Sequence, residues 1–261
     1  MSKRFKEKVV LITGAGAGLG QAAALQLAKE GAKLSLVDWN SEFLEETKKM
    51  ITEVAPDVEL TLIKADVSDE ESVKSYVKET VEKFGKIDGF YNNAGVEGKQ
   101  NPTAKYGSDE FERVIGINLN GVFYGLKYVL EVMEKQGYGS IVNAASVGGI
   151  RGVGNQSGYS ASKHGVIGLT RNSGIEYGQY GININAIAPG AFMTPMVEAS
   201  LRQMGGDNWE EAGRQFVSVN PMKRFGDPEE IGYLVAFLLS DEAKFINAAV
   251  IPIDGGQSYK Y

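Results

Sequence analysis

Tyr159 and Lys163 stand at i and i+4 in Tyr159-Ser160-Ala161-Ser162-Lys163, so on a helix a phenol and an ammonium share one face. A tyrosine of ordinary pKa near 10 is a poor base at neutral pH. A neighbouring positive charge favours the phenolate and brings the group toward general acid/base work. By itself the pair also suits a solvated helix surface. Ser146 lies thirteen residues before Tyr159, directly after the apolar run Ser140–Ala145. A hydroxyl at the carboxyl end of a strand could orient a substrate carbonyl, and an ordinary loop serine is the plainer alternative.

A second constellation is built for an anion. Thr13-Gly14-Ala15-Gly16-Ala17-Gly18-Leu19-Gly20 joins the apolar run Val9–Thr13 to a helical pattern beginning near Leu19. Gly14 permits a sharp turn, Gly18 lets the backbone approach a pyrophosphate, and Gly20 lets the helix pack closely on the sheet. The free N–H groups and positive dipole end of that helix complete a phosphate site from Gly14 through Leu19. The spacing is T-G-x-x-x-G-x-G, not the stricter G-x-G-x-x-G. Asp38 ends the next run, eighteen residues beyond Gly20. There a carboxylate can accept hydrogen bonds from adenosine ribose hydroxyls and repel a 2′-phosphate. Trp39 follows it, and Ala15, Gly16 and Ala17 offer no basic partner for such a phosphate, so NAD is expected over NADP. Asp38 would equally suit the cap of a helix starting around Ser41. Asp66 and Val67, after the third run, are placed to contact adenine, with a loop cap as the alternative for Asp66.

These groups need elements to hold them. Short apolar runs at Val9–Thr13, Lys33–Asp38, Glu59–Asp66, Ile87–Asn92, Ser140–Ala145, Ile182–Ala188 and Ala249–Asp254 alternate with helical stretches. Most are apolar throughout, as parallel strands covered on both faces are. Ser68-Asp69-Glu70-Glu71 reads as a capping box before a helix closing at Phe84-Gly85. Asp227-Pro228-Glu229-Glu230 puts a cap before a proline at the first helical position. Gly31 and Gly181 sit where C-terminal caps belong. The alternation predicts one α/β domain over residues 1–261, a doubly wound parallel sheet of about seven strands with helices on both faces. The least regular stretch, 190–221, is a candidate substrate lid, or else a surface excursion without a role.

Composition narrows the chemistry. The chain has 261 residues, 27 Lys and Arg against 33 Asp and Glu, and a formal charge of −6, which argues against nucleic acid as the main partner. It has no cysteine and one histidine, His164, so disulfides, thiolate catalysis and Cys- or multi-His metal sites are excluded and no metal is expected. Only Val9-Val10-Leu11-Ile12 follow the basic N-terminus before Thr13-Gly14, too few apolar residues for a signal peptide, and no stretch reaches membrane-spanning length. A cytoplasmic protein without membrane partners is expected. The 33 glycines stand well above the usual 7% or so.

Taken together, Thr13–Gly20, Asn92-Asn93-Ala94-Gly95, Asn118, Ser146, Tyr159 with Lys163, and Pro189-Gly190-Ala191-Phe192-Met193-Thr194 resemble the short-chain dehydrogenase/reductase family over essentially the whole chain, in order and spacing. The resemblance implies a Rossmann-type fold and a catalytic set of Asn118, Ser146, Tyr159 and Lys163. Tyr159 would be the general acid/base and Ser146 would polarise the carbonyl. Lys163, with the charge of an oxidised nicotinamide, would lower the tyrosine pKa and bind the nicotinamide ribose, and Asn118 would support a water relay behind it. Asn93, Ala94 and Gly95 would line the cofactor cleft, Pro189 and Gly190 would also bind the cofactor, and Phe192 and Thr194 would hold the carboxamide end. His164 is then a packing residue. The expected activity is that of an NAD(H)-dependent carbonyl reductase or alcohol dehydrogenase, working as a homotetramer with the Tyr159 helix in a subunit interface. An apolar lid from Phe192, Met193, Met196 and Trp209 would favour a small cyclic diketone. The alternatives are a polyol, sugar or acyclic diketone, or, more remotely, a non-catalytic NAD-binding regulator.

Overall fold

A computed structural model describes residues 3–218 and 220–259 of the chain. The apolar runs form seven parallel strands: β1 (Val9–Thr13), β2 (Lys33–Asp38), β3 (Leu60–Lys64), β4 (Gly89–Asn92), β5 (Gly139–Ala144), β6 (Ile182–Pro189) and β7 (Val250–Ile253). They lie in the order β3-β2-β1-β4-β5-β6-β7. Between them run α1 (Gly18–Lys29), α2 (Ser41–Val54), α3 (Glu70–Phe84), α4 (Ser108–Ile115), α5 (Gly121–Gln136), α6 (Ser157–Tyr177), α7 (Pro195–Gly205), α8 (Trp209–Ser218) and α9 (Pro228–Leu239).

The two-residue period of a strand explains why solid apolar runs are needed. Val10 and Ile12 of β1, Leu34 and Leu36 of β2, Tyr91 of β4 and Val142 of β5 point to a core shared with Leu27 of α1, Leu44 and Ile51 of α2, and Ile231 and Val235 of α9. Their neighbours Leu11, Val37, Phe90 and Ile141 point the other way, to Val73 and Tyr76 of α3, Val122 and Val129 of α5, and Val166 of α6. Each fully buried side chain of this kind contributes roughly 1.5–3 kcal/mol, and the polar residues that the runs do bury are paired, Ser35 with Thr80 and Asn143 with Asn92 and Thr170.

β1 pairs with β2 on one side, Thr13 opposite Val37, and with β4 on the other, Ile12 opposite Tyr91. The chain therefore leaves β1 toward one half of the sheet and reaches the other half only through β4. Such a switch point opens a crevice at the carboxyl ends of the strands.

Besides strand ends that differ by one or two residues, local details depart from expectation in three places. The cap of α3 is Asp69, whose carboxylate accepts from Ser72 N, while the Ser68 hydroxyl donates to Asp66 instead. Asp38 does not cap α2, because the side chain of Asn40 takes the Glu42 and Phe43 N–H groups. The stretch after β6, expected to be irregular, carries α7 and α8, with Thr194 as the cap of α7 and Pro195 at its first position. The capping box at Asp227 and Glu230 is present, and Gly31, Gly85 and Gly181 have positive φ at helix ends. Among the described residues no helix is long and apolar enough to cross a membrane.

Candidate active site

Ser146 lies just beyond β5, where its hydroxyl accepts from Gly148 N at 3.0 Å and so caps the short turn Val147–Gly149. Pairing of β4 with β5, Asn92 opposite Asn143, brings that end beside the Asn93–Gly95 loop. Helix α6 then sets Tyr159 and Lys163 on the face turned toward Ser146. The Tyr159 ring flanks Gly148, where a Cβ would come within 3.2 Å of Cε1. Lys163 is buried at 4% exposure, its Nζ 5.7 Å from the centre of the Tyr159 ring.

The electrostatics differ from the simple expectation. Tyr159 keeps partial access to solvent, yet burial of its hydroxyl pushes its pKa up to about 12. A hydrogen bond with Ser146 pulls the other way, and the charge of Glu97 adds to the rise. The Lys163 ammonium, beside the ring, does not outweigh that burial in the chain alone. Its Nζ donates to Ala144 O at 2.7 Å, and burial lowers its own pKa to about 8. An ammonium has three donors, so two stay available toward the cleft.

Asn118 occupies a wide, π-type turn, Gly116–Asn120, between α4 and α5. The fully buried side chain accepts from Val96 N at 2.8 Å and donates to Val96 O at 2.7 Å and Ser162 Oγ at 3.2 Å. The side chain thus clamps the loop after β4 to α6, directly behind Lys163. A turn with one extra residue has no local signature in the sequence, which is why this geometry was not read from it.

The phosphate turn is braced from across the sheet. The buried Thr13 hydroxyl accepts from Asn93 N (3.0 Å) and Ala94 N (3.1 Å), and Asn93 Nδ2 donates to Thr13 O (3.0 Å). Gly14 has φ +64°, and a Cβ there would meet Ala94 Cα at 2.9 Å; a Cβ on Gly20 would lie 2.0 Å from Gly14 O. Ala17 caps α1 with no side-chain acceptor, and the first turn holds no acidic residue. The leading N–H groups therefore face outward for an anion. Asp38, 8% exposed, accepts from Gly16 N and Asn40 N, both at 3.0 Å. A carboxylate has about four acceptor positions, so two hydrogen bonds orient it without saturating it. These residues fit a dinucleotide. So does Gly95, where a Cβ would fall 3.1 Å from Asn118 Oδ1 and 3.4 Å from Lys163 Nζ, narrowing the cleft between loop and lysine.

The remaining candidates distribute unevenly. Trp39 is 71% exposed at the rim. Asp66 caps its own loop through Oδ1, which accepts from the N–H and hydroxyl of Ser68, at the end of β3 where the adenine contact is expected. Val67 packs on α5 at Gly121, where a Cβ would meet Val67 O at 2.9 Å. Pro189 ends β6 opposite Ile253, and Gly190 N donates to Ile253 O. Phe192 is buried in a bridge to Gly226. Thr194 stands across from the phosphate turn, 3.5 Å from a Cβ on Gly18, and together they border a cavity of about 520 Å³ that also touches Leu25, Phe43 and Met50. Of the four expected lid residues, Trp209 stacks on the Arg202 guanidinium at 4.6 Å, joining α8 to α7, and Met193 and Met196 are partly exposed. His164 Nδ1 lies 2.8 Å from Ser160 O on its own exposed helix face. Among the described residues no group of three or more His, Cys, Asp or Glu could hold a metal ion.

Residues 14–258 match the family model described as Enoyl-(Acyl carrier protein) reductase. The chain is 61% identical over 258 residues to Levodione reductase of Leifsonia aquatica, covering 99% of this chain and 97% of that protein. It is 40% identical over 261 residues to Cyclohexanol dehydrogenase of Acinetobacter sp. (strain SE19), covering 100% and 98%. The crystal structure of levodione reductase superimposes with a TM-score of 0.98 over 98% of this chain and 100% of that chain. That of NAD+-bound xylitol dehydrogenase, 39% identical, gives 0.92 over 97% and 99%.

Proposed function

Since the chain belongs to the short-chain dehydrogenase/reductase family of oxidoreductases, we propose that it is an NAD(H)-dependent carbonyl reductase and alcohol dehydrogenase acting on a small cyclic ketone. The observation that carries this reading is the convergence of the Ser146 and Tyr159 hydroxyls at the end of β5, with Lys163 beneath them. The nicotinamide, when bound, supplies or accepts the hydride. In reduction, Ser146 donates a hydrogen bond to the carbonyl oxygen and Tyr159 delivers the proton to it. A phenol held near 12 is fully protonated at neutral pH and ready to act as the acid. Lys163, lowered to about 8, is still an ammonium there and offsets the phenolate that remains. The Asn118 clamp keeps the loop wall and α6 in register during transfer.

The turn from Gly14 to Leu19 would hold the pyrophosphate, Asp38 and Trp39 the adenosine ribose, Asp66 and Val67 the adenine, and Asn93, Ala94, Gly95 and Lys163 the nicotinamide ribose. Pro189, Gly190, Phe192 and Thr194 would close the carboxamide end. Preference for NAD over NADP follows from the Asp38 carboxylate and the absence of Lys or Arg at positions 15–17, and one similar protein is NAD+-bound. Choice of a cyclic ketone is supported by the ring substrates named for the two curated relatives. The same family suggests a homotetramer built on the outer face of α6, where Ile175 is 79% exposed.

A side-by-side panel tests the reading: cyclic diketones with NADH or NADPH, and xylitol or glucose with NAD. The cyclic diketone with NADH should lead in kcat/KM by at least about tenfold, close to 1.4 kcal/mol of discrimination. Better turnover of the polyols would overturn the substrate, and a preference for NADPH would overturn the role of Asp38.

A further inference from the structure

Glu97 is a carboxylate that the chemistry above leaves unused. It follows Val96, the residue clamped by Asn118, and it meets two other elements. Its Oε1 accepts from Gln100 Nε2 at 3.1 Å, from Ser200 Oγ of α7 at 2.7 Å, and from Gln156 Nε2. Gln156 precedes Tyr159 by three residues. Gln203 of α7 extends the seam, accepting from Gln100 N at 3.2 Å. All three donors converge on one oxygen, and Oε2 has no partner among the described residues. Burial raises the Glu97 pKa; Val96 beside it is held by Asn118, and its donor Gln156 stands one turn before Tyr159, which puts this carboxyl next to the catalytic loop. A carboxyl anchored through one oxygen presents the other in a fixed direction. Ionised, that oxygen accepts from a hydroxyl; protonated, it donates to a carbonyl.

We propose that Glu97 is a second substrate-binding group, whose free Oε2 holds an oxygen of the substrate remote from the carbonyl at Tyr159. This deepens, and rests on, the carbonyl-reductase reading. The favoured class is then a compact ring with two oxygen functions, a diketone or hydroxyketone, over a ring with one. A site built to bond an oxygen discriminates against the analogue lacking it, because its own polar group is then left unpaired.

Cyclohexane-1,4-dione and cyclohexanone separate the cases. With NADH the wild type should prefer the dione by at least about tenfold in kcat/KM, beyond the twofold that two equivalent carbonyls provide. In Glu97→Ala the ratio should fall to about two, with the loss carried by the KM of the dione. In Glu97→Gln, whose amide still offers a donor and an acceptor, at least half the wild-type ratio should survive. No dione preference in the wild type, or equal losses for both ketones in Glu97→Ala, would reduce Glu97 to a brace for α7 and overturn the proposal. Thermal shifts with each ketone in the presence of NAD+ read binding without turnover. A dione shift lost in Glu97→Ala upholds the subsite even if neither ketone is reduced, in which case the function reading alone fails; no dione shift in the wild type overturns the subsite.

Discussion

Tyr159 and Lys163 are pushed in opposite directions by one cause, the removal of water from a phenol and an ammonium held on one helix face. Replacing Tyr159 by Phe keeps the ring and removes the transferable proton. Turnover should fall by at least about a hundredfold, while NADH affinity, measured by fluorescence titration, stays within about threefold because the phosphate turn and Asp38 are intact. Substantial residual kcat in the purified variant would remove Tyr159 from the proton transfer. Lys163 carries a pH signature of its own. Its pKa moves from 10.5 to about 8 on folding, so below pH 8 the fold bears the full cost of a buried ammonium. Between 8 and 10.5 the unfolded chain still binds a proton that the fold has released, and stability rises with pH. At about 1.4 kcal/mol for each tenfold change, the displacement corresponds to about 3 kcal/mol. Urea unfolding of the cofactor-free protein should show the wild type gaining up to about that amount over Lys163→Met between pH 7.5 and 10.5. Parallel curves for the two proteins would mean that Lys163 is not desolvated. Tyr159 titrates in both and cancels.

At the scale of elements, Thr13 is where strand, turn and loop are joined. Its hydroxyl takes two N–H groups, from Asn93 and Ala94, that have no other acceptor in the loop. Thr13→Val keeps the shape and leaves both donors unsatisfied, which should cost about 2–4 kcal/mol and weaken NADH binding at least about tenfold. Thr13→Ser should restore most of both. Unchanged denaturation midpoint and affinity in Thr13→Val would show that the brace carries no weight. The strands were readable because apolar, β-branched runs covered on both faces leave few alternatives, and β1 and β2 begin and end where expected. β3 and β4 are shorter than read, since Glu59 and Ala65 each keep a single backbone bond to β2 and the N–H and C=O of Ile87 go to the Gln136 side chain. In the stretch after β6, methionines and Gly205-Gly206 looked irregular, although Thr194-Pro195 was a helix start in plain view. The clamp of Asn118 and the hub at Glu97 were not legible, because all their partners but Gln100 lie 22 to 103 residues away and nothing local announces such contacts.

For the whole molecule, the exposed outer face of α6 bears on assembly. Ile175 at 79% exposure, with Arg171 and His164 also exposed on the same helix, is the surface on which a homotetramer would be built. Light scattering should return the mass of four chains of 28.2 kDa, and Ile175→Glu should lower that mass by placing a charge in a dry contact. A wild-type monomer would remove the tetramer. The bracing of the phosphate turn also sets an order of events in synthesis. The turn is contained in residues 13–20, yet the groups that hold it, Asn93 and Ala94, follow some 80 residues later, and β4 must first seat beside β1. A nascent chain that has released only β1, α1 and β2 owns every glycine of the motif and the bonds of Ala15 and Gly16 to Val37 and Asp38, but not the brace at Thr13. The finished phosphate site therefore waits for the middle of the sheet, and until β4 is seated the turn is held from the β2 and α2 side alone.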